Sequence, residues 1–459
     1  MISSIPNIDS KLMIQQKFAI IFSCIIIGIL ILFTRNNIYS IFGIGISIFI
    51  ALRLLIMIGS TIPIIEIMLF IAAAQWIIGP IIDYRTVVTH YKMHMYVSEL
   101  EYMRITTPLF FAFTLSSLNF TKLKAINIDE LAKKINFYKS VPFYIIGIGL
   151  FFRIIDPFLP DTFKFINYLI INSSLVGLGL LYFTNITWKT KLLITFITFS
   201  PVFFHAINSG FFHVLIIWGL FIFIFINLAM KLSFFNKVLI ILISIVFLFT
   251  LQTIKFTYRK SISDSSFKGD KLELFMGILF SDENVSKAKD DENINDVNKR
   301  LNQGWIISKI YDRIPNEKNF LEGETIIEAI TSTLIPRFLM PSKSKSGGGG
   351  ATFEKLTGFE LLEGTTMGPS LMGEFYANFG RFGGVIAFLI WGRILYLIVN
   401  LFSSYRIRNP MLMLWLPIVF FQVIKAETDF GTILNHLLKS LIFIGIVIYF
   451  MKKVLNIKL

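Results

Sequence analysis

Long apolar runs alternate with short polar stretches along most of the 459-residue chain. Because a helix needs about 20 mostly apolar residues to cross the hydrocarbon core of a bilayer, runs of this kind predict membrane-spanning helices. They lie at 17–33, 38–58, 62–79, 106–118, 141–157, 163–183, 192–207, 210–230, 238–254, 375–402, 411–424 and 437–451. The runs 106–118 and 411–424 are short, and 106–118 is also compatible with a re-entrant helix. The pattern predicts an all-α polytopic integral membrane protein with about 12 transmembrane helices.

One long hydrophilic insertion divides these spans into two groups. Residues 1–254 hold the first nine spans, 255–374 form a large loop with amphipathic helices, and 375–459 hold the last three. Lysine and arginine concentrate in cytoplasmic loops. With the N-terminus inside, sixteen basic residues fall in the inner segments and six in the short outer loops. We therefore expect both termini to be cytoplasmic and the large loop between helices 9 and 10 to lie on the outer face.

Composition and charge exclude several classes of protein. Hydrophobic residues make up 55% of the chain and charged residues only 16%, whereas soluble domains carry roughly 25% charged residues. The net charge is +14, but the loop 255–374 holds 16 basic and 18 acidic residues, so the surplus follows membrane topology. We expect no nucleic-acid partner. The single cysteine, Cys24, excludes an intrachain disulfide and a cysteine metal cluster.

The large loop contains two amphipathic patterns and a glycine-rich stretch. Val297, Leu301 and Trp305 recur at helical spacing, and a second apolar stripe runs through 322–335. Such helices either lie on the membrane surface near a lipid substrate or pack on the transmembrane bundle as core. The stretch 341–351 has the composition of a flexible linker, and its glycines would allow backbone amides to approach an anion. It lacks the lysine of a phosphate-binding P-loop.

Ionisable residues inside predicted spans are candidates for function because their burial is costly. Arg153 lies near the outer end of the fifth span, where its guanidinium could hold a diphosphate. The alternative is that it snorkels or pairs with Asp156. Arg53 and Glu66 lie near the inner ends of neighbouring spans, and we expect them to pair with each other.

The outer connection 80–107 is unusually charged and could line a polar substrate path, with Arg85 as a substrate-binding candidate. His90 and His94 have the i, i+4 spacing of metal ligands on a helix, but the sequence indicates no third ligand. We therefore predict no metal site.

The densest cluster of polar residues lies in 333–393. It combines Arg337 with residues at the start of the tenth span. Spacing of i, i+4 and i+7 places Glu374, Asn378 and Arg381 on one helical face, together with the neighbouring Tyr376. The face could present a carboxylate, an amide and a guanidinium to a substrate. Alternatively, Glu374 and Arg381 neutralise each other at the interface.

Three stretches of this cluster carry a resemblance to a known family. They are IPRFLMPSKS from Ile335, GTTMGPS from Gly364 and GEFYANFGRFGG from Gly373. This part of the C-terminal third resembles the Wzy-type polymerases of O-antigen and other bacterial surface polysaccharides. The remainder matches that family only in architecture.

The resemblance implies a glycosyltransferase in the bacterial plasma (inner) membrane. It would transfer a growing glycan from undecaprenyl diphosphate to the next lipid-linked repeat unit, at the outer face, during O-antigen (lipopolysaccharide), capsule or exopolysaccharide synthesis. The substrate would be an undecaprenyl-diphosphate-linked oligosaccharide in the lipid bilayer, with a chain-length regulator and a flippase as further partners. We expect no cofactor. The predicted catalytic residues are Arg337 and Glu374, and the predicted substrate-binding residues are Arg153, Asn378, Tyr376, Arg85 and Arg381.

Three other classes of protein are alternatives to this prediction. A flippase or transporter of lipid-linked sugars suits twelve spans, but the two halves of the chain look unrelated. A metal-dependent membrane glycosyltransferase would resemble its relatives in having acidic residues in the first outer loop, and 34–37 contains none. An O-antigen ligase would resemble its relatives in carrying a histidine in the large outer loop, and none of the five histidines lies in 255–374.

Overall fold

The computed structural model describes residues 8–86, 92–120, 125–263, 269–280, 302–335, 349–362, 365, 367–405 and 410–453. Within these ranges the regular structure is helical, and none of them contains a β-strand. Nine helices in the described part are long and apolar enough to cross a membrane. The predicted class, a helical multi-pass membrane protein, is confirmed at this level.

The helices before the large loop are α1 (Ile8–Phe33), α2 (Ile38–Met57), α3 (Ile64–Asp83), α4 (Glu99–Ser117), α5 (Ile128–Phe137), α6 (Val141–Ile155), α7 (Asp161–Leu181), α8 (Trp188–Ser209), α9 (His213–Met230) and α10 (Phe234–Ser263). Those that follow are α11 (Lys271–Leu279), α12 (Gly304–Arg313), α13 (Glu324–Leu334), α14 (Gly349–Thr357), α15 (Ser370–Tyr405), α16 (Leu416–Phe420) and α17 (Phe430–Lys453).

The nine candidate spans are α1, α2, α3, α6 (extended to Phe158), α7, α8, α9, α15 and α17. The other three predicted spans are also helical. Run 106–118 is the later part of α4, run 238–254 lies in α10, and run 411–424 forms a 3₁₀ turn, Pro410–Trp415, followed by α16. The number twelve stays a prediction, because these three elements are shorter or less apolar than the nine.

Several helix ends follow from local sequence. The Asn37 side chain accepts a hydrogen bond from the Ser40 amide at 2.8 Å and begins α2, and Ser98 caps α4 in the same way. Gly210 ends α8 in the left-handed conformation, with φ of 67°, which glycine adopts without strain.

α4 and α15 pack closely because small residues lie between them. A side chain at Gly392 would collide with the Ser116 hydroxyl, so glycine is required there. The same hydroxyl donates to the Phe388 carbonyl at 3.1 Å. Close approach of backbones with interhelical hydrogen bonds is typical of helix pairs in membranes.

The predicted Arg53–Glu66 pair is confirmed. Arg53 Nε lies 2.9 Å from Glu66 Oε1, and both side chains are buried between α2 and α3. The guanidinium also donates to the Gln16 side chain and, at 2.9 Å, to the Asn119 carbonyl. Burial of the charge is thus offset by three hydrogen-bonded partners.

The described part of the large loop, 302–335 and 349–362, is here called the insertion segment, and the end of the bundle that it covers is the insertion side. Its helix α12 docks on α3 where five residues, Ala74–Ile78, form a π-helical turn. The Gln303 amide donates to the Gln75 carbonyl at 3.2 Å. A π-helical turn leaves backbone carbonyls of a helix available for other partners, and here one binds the insertion segment.

The two amphipathic helices behave differently. α12 buries its apolar stripe, including Trp305 and Ile310, so it packs as core on the bundle. Val297 and Leu301 lie outside the described residues. α13 buries its small and polar face against α17 and leaves Ile327 and Leu334 at least 60% exposed. An apolar stripe exposed beside a transmembrane helix is suited to contact with lipid.

Candidate functional site

Glu374 lies at a buried junction between the insertion segment and the last helix. Its carboxylate is only 2% exposed. Oε1 accepts a hydrogen bond from the Thr325 hydroxyl of α13 at 2.9 Å, and Oε2 accepts one from the Phe430 amide at the start of α17 at 2.7 Å. Glu374 therefore joins three separate helices, and we call this region the insertion junction.

Asn378 completes the same network. Its amide nitrogen donates to the Thr325 hydroxyl at 2.7 Å and to the Glu374 carbonyl at 2.8 Å, while its oxygen accepts from the Thr325 amide at 3.3 Å. Two residues predicted from one helical face thus lie together, but they contact Thr325, which the sequence pattern did not single out. The network holds the first turn of α13 in place.

Arg381 does not share that face, and this part of the prediction is wrong. Gly380 adopts φ of 64° and ψ of −166°, a conformation that breaks the helix between Asn378 and Arg381. Arg381 is half-buried and has no ion-pair partner among the described residues. The alternative, that it neutralises Glu374, finds no support, because Glu374 is bonded to Thr325 and Phe430.

Tyr376 faces the insertion segment on the other side of α15. Its hydroxyl donates to the Ile314 carbonyl at 3.3 Å, and its ring lies 4.4 Å from that of Tyr311 and 5.7 Å from that of Phe320, centroid to centroid. The side chain is 6% exposed. In this structure it holds α12 and the following turn against α15.

Arg153 lies in the last turn of α6, on the insertion side. The neighbouring Asp156 carboxylate accepts a hydrogen bond from the Asn167 amide of α7. Arg153 is half-buried and has no hydrogen-bond or ion-pair partner among the described residues. Asp156 interacts with Arg153 electrostatically but is not within ion-pair distance of it. A guanidinium at a helix end in a membrane protein, with no carboxylate bonded to it, is suited to bind an anion.

Arg85 is held in an ion pair. Its Nη1 lies 2.6 Å from Glu99 Oε2, and Nη2 donates to the Asn36 side chain at 2.8 Å. Ser40 in turn donates to Glu99 Oε1 at 2.7 Å. The pair joins the ends of α2, α3 and α4, and the Arg85 side chain remains 46% exposed.

Arg337 and His90 lie outside the described residues, so the structure places neither. His94 lies in a non-helical stretch and stacks on Tyr96, with ring centroids 4.2 Å apart.

The loop from Phe421 to Asp429, between the last two apolar elements, is a part of the site that the sequence pattern missed. The Ser370 hydroxyl donates to the Ala426 carbonyl at 2.6 Å, which ties this loop to the start of α15. Asp429 is 8% exposed, and its Oδ2 accepts from the Thr432 amide at 2.9 Å. A side chain at Gly349 would meet Asp429 Oδ1 at 2.6 Å, so the end of the glycine run lies against this carboxylate. In the sequence, this loop could have been recognised by its three charged residues, Lys425, Glu427 and Asp429, in a very short connection.

The same loop carries Lys425. Its ammonium lies 5.7 Å from the centroid of the Phe421 ring and has no ion-pair partner among the described residues. Burial lowers the pKa of Lys425 to about 8, and the nearby Glu427 carboxylate opposes this shift only in part. A half-buried lysine of this kind gains from binding an anion, because the anion supplies a partner to the charged form.

Comparisons of the chain with models of known protein families, with curated proteins and with solved structures each found no match.

Proposed function

We propose that this chain is a polymerase of lipid-linked oligosaccharide repeat units, acting at the outer face of a bacterial plasma membrane in the synthesis of a surface polysaccharide. The insertion side is then the outer face. The observation that carries the proposal is the position of the polymerase-like stretch from Gly373. It begins a membrane helix and is bonded, through Glu374 and Asn378, to a polar segment covering that end of the bundle.

The reaction joins two lipid-linked glycans. A hydroxyl of the acceptor sugar attacks the anomeric carbon of the donor glycan, and the bond from that carbon to the diphosphate oxygen breaks. The hydroxyl proton passes to a base, and the lipid diphosphate leaves with its negative charge. The protein must hold the diphosphate and accept the proton.

Arg153 is our candidate for binding the diphosphate. The guanidinium is planar and permanently charged, and two of its N–H groups can bind two phosphate oxygens. It lies at the end of a membrane helix on the insertion side, where the phosphates of a lipid would lie. It needs no rearrangement of a protein ion pair to bind them. Arg337, by its resemblance to the family pattern, keeps its proposed place beside the same leaving group.

The two carboxylates of the insertion junction have different proposed roles. Both oxygens of Glu374 accept hydrogen bonds from protein groups, so we assign it to positioning. Asp429 lies beside Gly349 and uses one oxygen to cap α17, so we assign it to accepting the proton. An asparagine at position 429 keeps the hydrogen bond that caps α17, but its amide does not act as a base.

The experiment is a gel ladder of surface polysaccharide from a deletion strain complemented with variants at equal membrane levels. We expect the deletion strain to show single repeat units and the wild type to restore the ladder. Arg153→Gln and Asp429→Asn should not restore it, whereas Arg35→Gln, at an exposed arginine, should. If the deletion strain instead accumulates repeat units inside the cell with none at the surface, the chain is a flippase and the proposal is wrong.

A further inference from the structure

A cavity opens at the end of the bundle opposite the insertion side, between the start of α1, the end of α2 and the start of α10. We call it the basal cavity. Its volume is about 350 Å³, within the roughly 300–1,000 Å³ that is usual for small-molecule sites. By the distribution of basic residues, this end of the bundle is expected to face the cytoplasm.

The polar side chains of the basal cavity carry hydrogen-bond donors. They belong to Lys11, Gln15, Ser60 and Lys237, and the described part of the wall contains no aspartate or glutamate. The Lys11 ammonium has no ion-pair or hydrogen-bond partner among the described residues. The Lys237 Nζ donates to the Ile58 carbonyl at 2.6 Å. An ammonium has three N–H donors, so two of those on Lys237 remain for a ligand.

A buried amide adjoins the Lys237 ammonium. Asn227 of α9 is fully buried, and neither its amide oxygen nor its amide nitrogen has a hydrogen-bond partner among the described residues. A side chain at Gly59 would collide with the Asn227 amide and would lie 3.2 Å from Lys237 Nζ, so both groups lie on the same side of that turn. Buried polar groups without a partner are rare and call for a bound water or ion. A polar ligand is therefore favoured on this side of the Gly59 turn.

The rest of the wall is apolar and continues into the lipid-facing surface. Leu12 is buried in a small hydrophobic cluster with Met57, and Phe234 at the start of α10 is 68% exposed. Ile14 and Phe18 follow Lys11 at i+3 and i+7, on the same face of α1, and are 66% and 65% exposed. A ligand in the basal cavity thus meets cations at one end and an apolar surface along α1.

We propose that the basal cavity binds an anionic phospholipid, with Lys11 and Lys237 contacting its phosphate oxygens and the exposed face of α1 contacting an acyl chain. Two ammoniums without a carboxylate in the described wall favour a negative headgroup over a zwitterionic one, whose own cation they would repel. The apolar face of α1 favours a lipid over a soluble phosphate. The site lies at the far end of the bundle from the insertion junction and does not depend on the proposed function.

The test uses the full-length protein, purified in detergent and stripped of lipid, with binding measured by native mass spectrometry. The probes are phosphatidylglycerol, phosphatidylcholine with the same acyl chains, and glycerol 3-phosphate. We expect phosphatidylglycerol to bind roughly tenfold or more tightly than phosphatidylcholine, because each lysine near an anionic lipid surface contributes a favourable electrostatic interaction.

Lys11→Gln and Lys237→Gln should each weaken binding of phosphatidylglycerol by roughly fivefold, with a smaller effect on phosphatidylcholine. The matched control is Lys189→Gln, at an exposed lysine on the first turn of α8 at the same end of the bundle. It removes the same charge outside the cavity and should leave the affinity unchanged. Lys11 is exposed and bonded through its side chain to no described residue, so Lys11→Gln keeps the proposal testable if Lys237→Gln fails to fold.

A phosphatidylglycerol with a photoreactive headgroup locates the site. It should label peptides that contain Lys11–Gln15 and Phe234–Lys237. Labelling confined to other peptides, or equal affinities of the wild type and both lysine variants for phosphatidylglycerol, would overturn the proposal. Equal affinities of the wild type for phosphatidylglycerol and phosphatidylcholine would overturn the preference for an anionic headgroup. Binding of glycerol 3-phosphate as tight as that of phosphatidylglycerol would overturn the lipid source.

Discussion

Glu374→Gln is expected to loosen the insertion junction locally while leaving the rest of the bundle folded. The wild-type carboxylate offers one oxygen to the Thr325 hydroxyl and the other to the Phe430 amide. Glutamine has a single oxygen and therefore serves only one of these donors. If the glutamine oxygen accepts from the Phe430 amide, its NH₂ group faces the Thr325 hydroxyl, and the Thr325 O–H then loses the acceptor that Glu374 supplied.

The magnitude follows from the cost of one buried donor without an acceptor, about 1–3 kcal/mol. If that cost falls on the local opening of α13 from α17, amide exchange in peptides of α13 should be roughly 5 to 150 times faster. Glu374→Gln also removes a charge, which lowers the cost of burying the side chain, so the lower half of this range is the more relevant.

Hydrogen exchange with peptide mass readout is the assay, in detergent or nanodiscs, on the wild type and Glu374→Gln. The matched control is Glu324→Gln, on the first turn of the same helix. Its side chain is 57% exposed and pairs with Lys355 at 2.7 Å, a surface pair that contributes roughly 0–1 kcal/mol. If α13 exchanges at the wild-type rate in Glu374→Gln, or no faster than in the control, the positioning role of Glu374 is refuted.

Gly380→Ala should lower the free energy of unfolding by about 1–3 kcal/mol, because a side chain is strained at the Gly380 φ of 64° and ψ of −166°. The control is Gly147→Ala, where an added side chain would have nothing within 4 Å and stability should be unchanged. Thermal stability of the purified variants compares the two. Arg53→Met should lower the free energy of unfolding by about 3–5 kcal/mol, because it leaves the Glu66 carboxylate buried without its partner. Adding Glu66→Leu to the same protein should restore most of this stability. Folded yield and thermal inactivation measure both effects. Polymer synthesis in membranes should decline as the pH rises through about 8, the pKa to which burial lowers Lys425, and Lys425→Arg should move this decline to higher pH.

Much of the membrane architecture was predictable because each span carries its own signal. An apolar run must form a helix in lipid, whatever its neighbours do, since its backbone groups have no other partners there. The Arg53–Glu66 pair was predictable for a related reason: two opposite charges at the same depth, separated by one tight turn, have few alternatives.

The candidate site was predictable only in part, because it depends on contacts between distant parts of the chain. The pattern placed Glu374 beside Asn378 correctly, since both lie within one helical turn of each other. It assumed that the helix continues to Arg381, and Gly380 ends that continuity. Nothing in the local sequence indicates that Thr325, 49 residues before Glu374, supplies the shared hydroxyl.

The amphipathic helix α13 shows a further limit. An apolar stripe predicts which residues share a face but not which medium that face meets. In a soluble protein, Ile327 and Leu334 would point to the core. Here Thr325 and Ala329 do so, and the apolar stripe is exposed.

The bond between Glu374 and the Phe430 amide also has a consequence for how the chain is made. The two residues are 56 positions apart, and Phe430 begins the last helix. At ordinary rates of synthesis the ribosome needs roughly 3–11 s to cover that distance. During this interval the Glu374 carboxylate lacks one of its two native partners, so chaperones and the insertion machinery meet an unfinished junction. A chain that is truncated before the last helix would keep the Glu374 carboxylate without its Phe430 partner. We expect membrane proteases to degrade such a truncated chain quickly.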